Sequence, residues 1–122
     1  LAIVGFKSFL KRYPDSDLAA DAQYYLADSY LAKKDFMKAR EEFDRLLKNF
    51  SQLRAAALLK RAAAFAGLDD AQNQKNTLEV LIKEFPDTQE ALTAQQQLKE
   101  LSKAEKTSQK SLPKKSKKNR KK

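Results

Sequence analysis

The sequence predicts an all-α fold, a solenoid of antiparallel helix hairpins, and three observations lead to this prediction. A phrase of two apolar residues, a lysine, a polar residue and an aromatic residue occurs at 9–13, 46–50 and 81–85. Such a recurrence every 35 to 37 residues is typical of stacked supersecondary units. The composition favours helix, since Ala, Leu, Lys, Glu and Gln are abundant and Gly and Pro number only two and three. Apolar residues follow helical spacing, and strand-like alternation is absent.

The first three helices are predicted from their apolar stripes and from the residues that end them. Pro14 stops helix one, and the polar turn 15–17 can cap helix two. A tight turn separates helices two and three, and Asp35 is the expected N-cap of helix three. These helices are expected at about 1–12, 18–33 and 36–50. Their candidate apolar contacts are Val4, Phe6, Phe9, Leu10 and Tyr13, then Ala19, Ala22, Leu26 and Tyr30, then Phe36, Ala39, Phe43, Leu46, Leu47 and Phe50.

The last three helices show similar boundary signals. Helix four is rich in alanine, which lets neighbouring helices approach closely, and Gly67 suits its C-terminus. Asp69 or Asp70 can cap helix five, and Asp87 with Glu90 predicts a capping box for helix six. These helices are expected at about 53–66, 71–84 and 89–101. Their candidate buried residues are Leu78, Leu81, Ile82 and Phe85 in helix five, and Ala91, Ala94, Leu98 and Leu101 in helix six.

The net charge of +9 is concentrated at the C-terminal end. Of the 25 basic and 16 acidic residues, ten basic residues and one acid, Glu105, lie in 102–122, so the rest of the chain is neutral. Apolar residues almost vanish there, and such a segment cannot bury enough surface to offset the entropy of ordering. We therefore predict a repeat domain over 1–102, in units of about 1–15, 16–51, 52–86 and 87–102, and a disordered Lys-rich tail over 103–122.

The composition argues against several classes of chemistry. The sequence has no Cys, His or Trp, which excludes disulfides, thiol nucleophiles and the commonest general base and metal ligand. The remaining Ser, Asp, Glu, Lys and Tyr residues do not lie in a glycine loop or a strained turn. No apolar run approaches the roughly 18 residues of a membrane span. We expect no catalytic residue, no cofactor and no metal site.

The middle unit matches a known repeat pattern, W-x2-L-G-x2-Y, then A-x3-F, then P. Gln23 stands in the place of the tryptophan. The other matching residues are Leu26, Ala27 in place of Gly, Tyr30, Ala39, Phe43 and Ser51 in place of Pro. Over nearly all of 1–101 the chain therefore resembles the tetratricopeptide repeat (TPR) family. In that family small residues stand where the two helices of a hairpin cross closely.

A narrower resemblance rests on the first turn and the helix that follows it. The segment Tyr13-Pro14-Asp15-Ser16 is followed by Ala19, Ala22, Tyr25, Leu26 and Ala27. It resembles the C-terminal repeat domain of the Tol-Pal system protein YbgF (the cell division coordinator CpoB) and the outer-membrane assembly lipoprotein BamD. The resemblance implies an all-α superhelix without catalysis that binds other proteins in the periplasm or cell envelope. A cytoplasmic location stays open.

In such hairpin stacks the first helix of each unit lines a concave groove in which peptides usually lie. On helix two, acidic residues with one aromatic and one aliphatic anchor fall on one side, which suits a basic or mixed extended peptide. The expected groove residues are Asp17, Asp21, Tyr24, Asp28 and Leu31, with Lys60 and Gln96 on the later first helices. The alternative is a solvated outer face. A metal site is disfavoured, since no coordination loop accompanies the carboxylates.

The two ends of the chain suggest further partners. The tail could contact nucleic acid or anionic lipid without base specificity, through Lys114, Lys115, Lys117, Lys118, Arg120, Lys121 and Lys122. The alternative is a solubilising terminus. Helix one resembles the second helix of a hairpin whose first helix would precede Leu1, and a solenoid unit cannot bury its faces alone. Two alternatives follow: residues upstream of Leu1 are missing from the sequence, or this face pairs with another chain, which predicts self-association through helix one.

Overall fold

A computed structural model describes the backbone of residues 2–121 and the side chains of residues 2–105. The described residues form six α-helices and contain no strand, which confirms the predicted fold class. The helices are α1 (Ala2–Arg12), α2 (Ala19–Ala32), α3 (Phe36–Asn49), α4 (Arg54–Gly67), α5 (Ala71–Glu84) and α6 (Gln89–Lys121). Each helix packs against the next along the chain, and α4 also contacts α2 and α6. The first helices of the successive hairpins therefore lie side by side.

The hairpins α2–α3 and α4–α5 repeat one another at an interval of 35 residues, and each of their four helices has 14 residues. Both hairpins turn through a residue with left-handed backbone, Lys34 (φ 66°) and Asp69 (φ 58°). The next residue caps the second helix in both hairpins. The Asp35 and Asp70 carboxylates each accept a hydrogen bond from the backbone N–H three residues later. This confirms the predicted cap at Asp35 and selects Asp70 from the two candidates for α5.

Two hydrophobic clusters form the core, one around α2 and α3 and one around α4, α5 and α6. Residues at equivalent positions of the two hairpins are buried to the same extent. Phe43 and Leu78 are both fully buried, and so are Ala27 and Ala62. Small residues at the alanine positions let the helices of each hairpin approach closely. The predicted contacts Ala19, Ala22, Leu26, Tyr30, Ala39, Phe43, Leu46, Leu78, Leu81, Ala91 and Ala94 are all buried.

Helix α1 buries less of its surface than the sequence predicts. Val4 and Tyr13 are expected to be apolar contacts, yet they are 66% and 51% exposed. Among the described residues α1 packs against α2 alone, so only its α2-facing side chains, including Ile3 and Leu10, reach the core. The start of α2 differs as well. It begins at Ala19 without a side-chain cap, because the hydroxyl of Ser16 accepts from the N–H of Leu18 within the preceding turn.

The predicted boundary signal is wrong at the start of α6 and confirmed at the end of α4. The capping box of Asp87 and Glu90 is replaced by Thr88, whose hydroxyl oxygen accepts from the N–H of Ala91 at 3.1 Å. Gly67 is the last residue of α4, as predicted. Its φ is not positive, so it is needed for space, because a Cβ there would overlap the ring of Phe36.

Helix α6 continues past the end predicted near residue 101. Lys103, Ala104 and Glu105 are helical, whereas the sequence predicts the start of the tail at 103. Leu101 packs against the second cluster, so it holds this part of the helix on the domain. The side chains of 106–122, including the seven predicted polyanion contacts, lie outside the described residues, and the disorder predicted for them stays a prediction.

The cap at Thr88 predicts an effect on stability. Thr88→Ala removes the acceptor for the Ala91 N–H and is expected to lower the free energy of unfolding by about 1 kcal/mol. Asp87→Ala is the matched control and should change it less, because the Asp87 side chain is exposed and does not cap α6. Urea unfolding followed by circular dichroism at 222 nm measures both. A larger loss from Asp87→Ala would contradict the cap assignment.

Candidate partner-binding surface

An ion pair joins the first helices of the two complete hairpins. Asp28 of α2 and Lys60 of α4 approach to 3.2 Å between Oδ1 and Nζ, and both side chains are more than a third exposed. Lys60 can reach Asp28 because α2 and α4 contact each other directly. Tyr24 lies one helical turn before Asp28 on the same side of α2. We call the surface formed by Tyr24, Asp28 and Lys60 the α2–α4 surface.

Tyr24 is anchored in this surface by its ring. The ring meets Phe43 edge-on at 5.9 Å between centroids, so a half-buried tyrosine rests on a fully buried phenylalanine. Burial raises the pKa of the Tyr24 phenol above its ordinary value. The Lys60 ammonium opposes this shift in pKa, and the carboxylates of Asp28 and Glu90 add to it. The phenol is therefore neutral at physiological pH and can both donate and accept a hydrogen bond.

The other predicted groove residues have different surroundings. Leu31, one turn after Asp28 on α2, packs against the first core cluster as Tyr24 does, and Gln96 is exposed on α6. Asp21 lines a groove between α1 and α2, and Asp17 lines a polar cavity between the α1–α2 and α3–α4 loops. The structure thus brings Tyr24, Asp28 and Lys60 together, and it places Asp17 and Asp21 at two other cavities.

Arg61 organises a polar cluster that sequence reasoning missed. Its guanidinium donates to Asp44 of α3 at 2.5 Å and to the Thr77 hydroxyl of α5 at 2.7 Å. It also lies over the Phe65 ring at 4.8 Å from the centroid. One side chain of α4 therefore ties α3 to α5. A signal was available, since Arg61 stands 35 residues after Leu26, at a position where the repeat pattern expects an apolar residue.

A second polar contact lies inside the first hairpin. The Gln23 amide donates to the backbone carbonyl of Glu42 at 2.9 Å and to its carboxylate at 2.8 Å. Arg45 approaches the same carboxylate at 3.3 Å, and both Gln23 and Glu42 are buried. The polar residue at the tryptophan position of the repeat therefore has a polar partner on α3. Gln23 in place of the tryptophan of the repeat pattern indicates a polar partner, and the structure identifies that partner as Glu42.

This buried pair predicts a mutational effect that depends on both residues. Glu42→Ala is expected to lower the free energy of unfolding by about 1–3 kcal/mol, because the Gln23 amide loses its side-chain acceptor inside the protein. The double variant Gln23→Leu/Glu42→Leu should be less destabilised than the sum of its two single variants, since neither polar group is then left behind. Urea unfolding of the wild type, Gln23→Leu, Glu42→Leu and the double variant gives this double-mutant cycle. Strict additivity would show that the two side chains do not interact.

The α2–α4 surface offers a phenol, a carboxylate and an ammonium that can bind a partner. Within the described range, no group of three or more His, Cys, Asp or Glu residues is placed to hold a metal ion. Nor does any helix in that range combine the length and apolar character needed to cross a membrane. The α2–α4 surface presents a hydrogen-bonding phenol and two opposite charges side by side. Such an arrangement can recognise the backbone and charged side chains of a peptide.

Comparison with known proteins gives a family. The family model named YfiO, described as an outer membrane lipoprotein, matches residues 1–106, which include all six helices except the distal part of α6. No curated protein matches the chain. The match covers most of the 122 residues, and it agrees with the repeat architecture and with the resemblance to an outer-membrane lipoprotein. The chain therefore belongs to the YfiO family of outer membrane lipoproteins.

Proposed function

We propose that this protein is a non-catalytic scaffold of the bacterial cell envelope that holds an extended segment of a partner protein on the α2–α4 surface. Membership of an outer membrane lipoprotein family supports a role in protein interactions near the outer membrane. The family match favours the outer-membrane assembly branch of the sequence resemblance. A role in the Tol-Pal system and in cell division is the alternative within the same class of scaffold.

The observation that carries the proposal is the meeting of Tyr24, Asp28 and Lys60 across two helices. An ion pair this exposed adds little to folding stability, so its two charges can engage a partner at small cost. Tyr24 has the properties of an interface anchor, since its ring is fixed and its hydroxyl is polar. With Glu90 nearby, acids outnumber bases by one, which suits a basic or mixed-charge segment.

The test compares two matched double variants in a pull-down from envelope extracts. Tyr24→Ala/Asp28→Lys removes the anchor and reverses the acid of the α2–α4 surface. Glu79→Lys/Val80→Ala makes the same kinds of change at exposed positions of α5. We expect the first variant to lose proteins that the wild type and the second variant retain. Circular dichroism confirms that both variants fold. Identical partner sets for all three proteins would contradict the proposal.

A second candidate function rests on the uneven charge of the sequence. Nine of the ten basic residues in 102–122 lie beyond Glu105. Cations at this density attract anionic lipid headgroups or nucleic acid phosphates, with an affinity that falls steeply as salt rises. The proposed role is to hold the scaffold on a polyanionic surface while the repeat domain binds its partner.

Deletion of 106–122 tests this second function. Full-length and truncated chains are compared in flotation with vesicles containing anionic lipid and in gel shifts with RNA and DNA. We expect the full chain to bind at least one polyanion at low salt, and the truncated chain to lose at least ten-fold in affinity. Equal binding by both chains would assign the interaction to the repeat domain and would contradict a role for the tail.

A further inference from the structure

Two lysines converge on one buried tyrosine ring. The ammonium groups of Lys7 on α1 and Lys38 on α3 lie 6.0 and 5.6 Å from the centroid of the Tyr30 ring on α2. Tyr30 is buried and both lysines are exposed, so their aliphatic stems can cover the ring while the charges stay in water. Glu41 and Glu42 lie one turn after Lys38, yet neither ammonium forms a salt bridge within residues 2–105. Two positive charges therefore meet here without a carboxylate that neutralises them.

The turn after Tyr30 adds two more lysines beside it. Lys33 and Lys34 follow Tyr30 by three and four residues, and both are exposed. The turn folds back on Tyr30, because the N–H of Asp35 donates to the Tyr30 carbonyl at 2.9 Å. The carboxylate of Asp35 accepts from the backbone N–H of Lys38, so it serves as the cap of α3. We call Lys7, Lys33, Lys34 and Lys38 the lysine site.

The second hairpin provides an internal comparison, because it has the same architecture and different charges. Its residues at the four places are Asp44 for Lys7, by the 37-residue offset of the repeated phrase, and Leu68, Asp69 and Asn73 for Lys33, Lys34 and Lys38, by the 35-residue interval between the hairpins. Asp44 neutralises Arg61, which lies over the ring of Phe65, the counterpart of Tyr30. The fold therefore accepts acidic and neutral residues at these positions, and the packing of a hairpin does not require the four lysines.

The same comparison locates the site within the helix stack. Asp44 of α3 reaches Arg61 of α4, which is the first helix that follows α3. Lys7 of α1 likewise approaches Tyr30 of α2, the helix that follows α1. The lysine site therefore lies among α1, α2 and α3, on the side of α1 that faces α2.

We propose that the lysine site binds a phosphate group, either free or carried by a lipid headgroup. Phosphate carries more charge than a carboxylate and accepts through three oxygens, so it can engage several ammonium groups at once. An anion beside Tyr30 also relieves the repulsion between the ammonium groups of Lys7 and Lys38. The long lysine stems are flexible enough to close on it. The site is separate from the α2–α4 surface and from 106–122, and it does not depend on the functions proposed for them.

The first test follows the binding of inorganic phosphate to the isotopically labelled full-length chain by NMR. Potassium phosphate replaces potassium chloride at constant ionic strength and neutral pH, so general screening does not change. We expect saturable amide shifts at Tyr30 and 33–35, and none at Phe65 and 68–70, which form the equivalent turn of the second hairpin. This comparison needs no variant. Absence of shifts at 33–35, or equal shifts at the two turns, would overturn the proposal.

Two matched double variants test the lysines themselves. Lys7→Gln/Lys38→Gln removes two charges of the lysine site, and Lys48→Gln/Lys83→Gln removes two exposed charges at equivalent positions of α3 and α5. We expect the first variant to bind phosphate about five-fold more weakly and the second to bind it unchanged. Flotation with phosphatidic acid vesicles identifies the source: a loss in the first variant alone assigns a lipid headgroup, and equal flotation of both assigns free phosphate. Phosphate binding that is the same in both variants, or shifts confined to 106–122, would contradict the assignment to the lysine site.

Discussion

Phe43→Ala is expected to lower the free energy of unfolding by about 3–5 kcal/mol, because it removes a large ring from the centre of the core. Phe43 is fully buried in the first core cluster and supports the ring of Tyr24 edge-on. Truncation leaves a cavity at the centre of the stack, and the rigid helices around it close it only in part. It also removes the support that fixes the anchor of the α2–α4 surface, so partner binding should weaken together with stability.

Urea unfolding followed at 222 nm measures the loss, and Met37→Ala is the matched control. Met37 lies on the same helix but is exposed, so its truncation should change the free energy of unfolding by less than about 0.5 kcal/mol. Similar losses for the two variants would show that Phe43 does not lie at the centre of the core. The packing of α2 on α3 would then differ from the stacked hairpin described above.

Ala27→Leu is expected to cost about 1–3 kcal/mol, for the opposite reason. Ala27 is fully buried in the cluster that holds Tyr30, Ala39 and Phe43, and there is no room for a larger side chain. The added atoms must push α2 and α3 apart or force neighbouring side chains from their preferred rotamers. Because Ala27 and Ala62 are equivalent, Ala62→Leu should have an effect of similar size in the second hairpin.

The control is Ala32→Leu, the same change at an exposed position of the same helix. It leaves helix propensity comparable and adds no buried volume, so its effect should be small. Thermal and urea unfolding of the three variants separate crowding from propensity. If Ala32→Leu destabilised as much as Ala27→Leu, the close approach of α2 and α3 at Ala27 would be contradicted.

The helix positions and the buried stripes were predictable from the sequence because the same pattern recurs in each repeat unit. The phrase that ends in Tyr13, Phe50 and Phe85 locates the end of each second helix. Asp35 and Asp70 precede the second helices of the two hairpins and lie 35 residues apart. Both aspartates cap the helix that follows them, as the repeat predicts. The prediction failed at the start of α6, where Asp87 and Thr88 are adjacent and both residue types can cap a helix.

The candidate surface was predictable only in part, since helical periodicity gives the side of a helix but not its neighbours. Helical spacing puts Tyr24 and Asp28 on one side of α2, and the structure pairs Asp28 with Lys60 of α4. Partner binding by these residues stays a prediction. The same stripe also carried Asp21, which faces the groove beside α1. Which neighbour each residue meets depends on how α1 and α4 flank α2. The long reach of Arg61 to α3 and α5 depends on tertiary packing in the same way.

Site-specific photo-crosslinking in living cells tests the central claim, that the α2–α4 surface holds the partner. A photoreactive phenylalanine analogue replaces Tyr24 in one strain and Val80, exposed on α5, in another. We predict a discrete envelope-protein adduct from position 24 that disappears when Lys60→Glu is added, and no such adduct from position 80. An adduct from position 80 alone, or one from position 24 that survives Lys60→Glu unchanged, would contradict this claim.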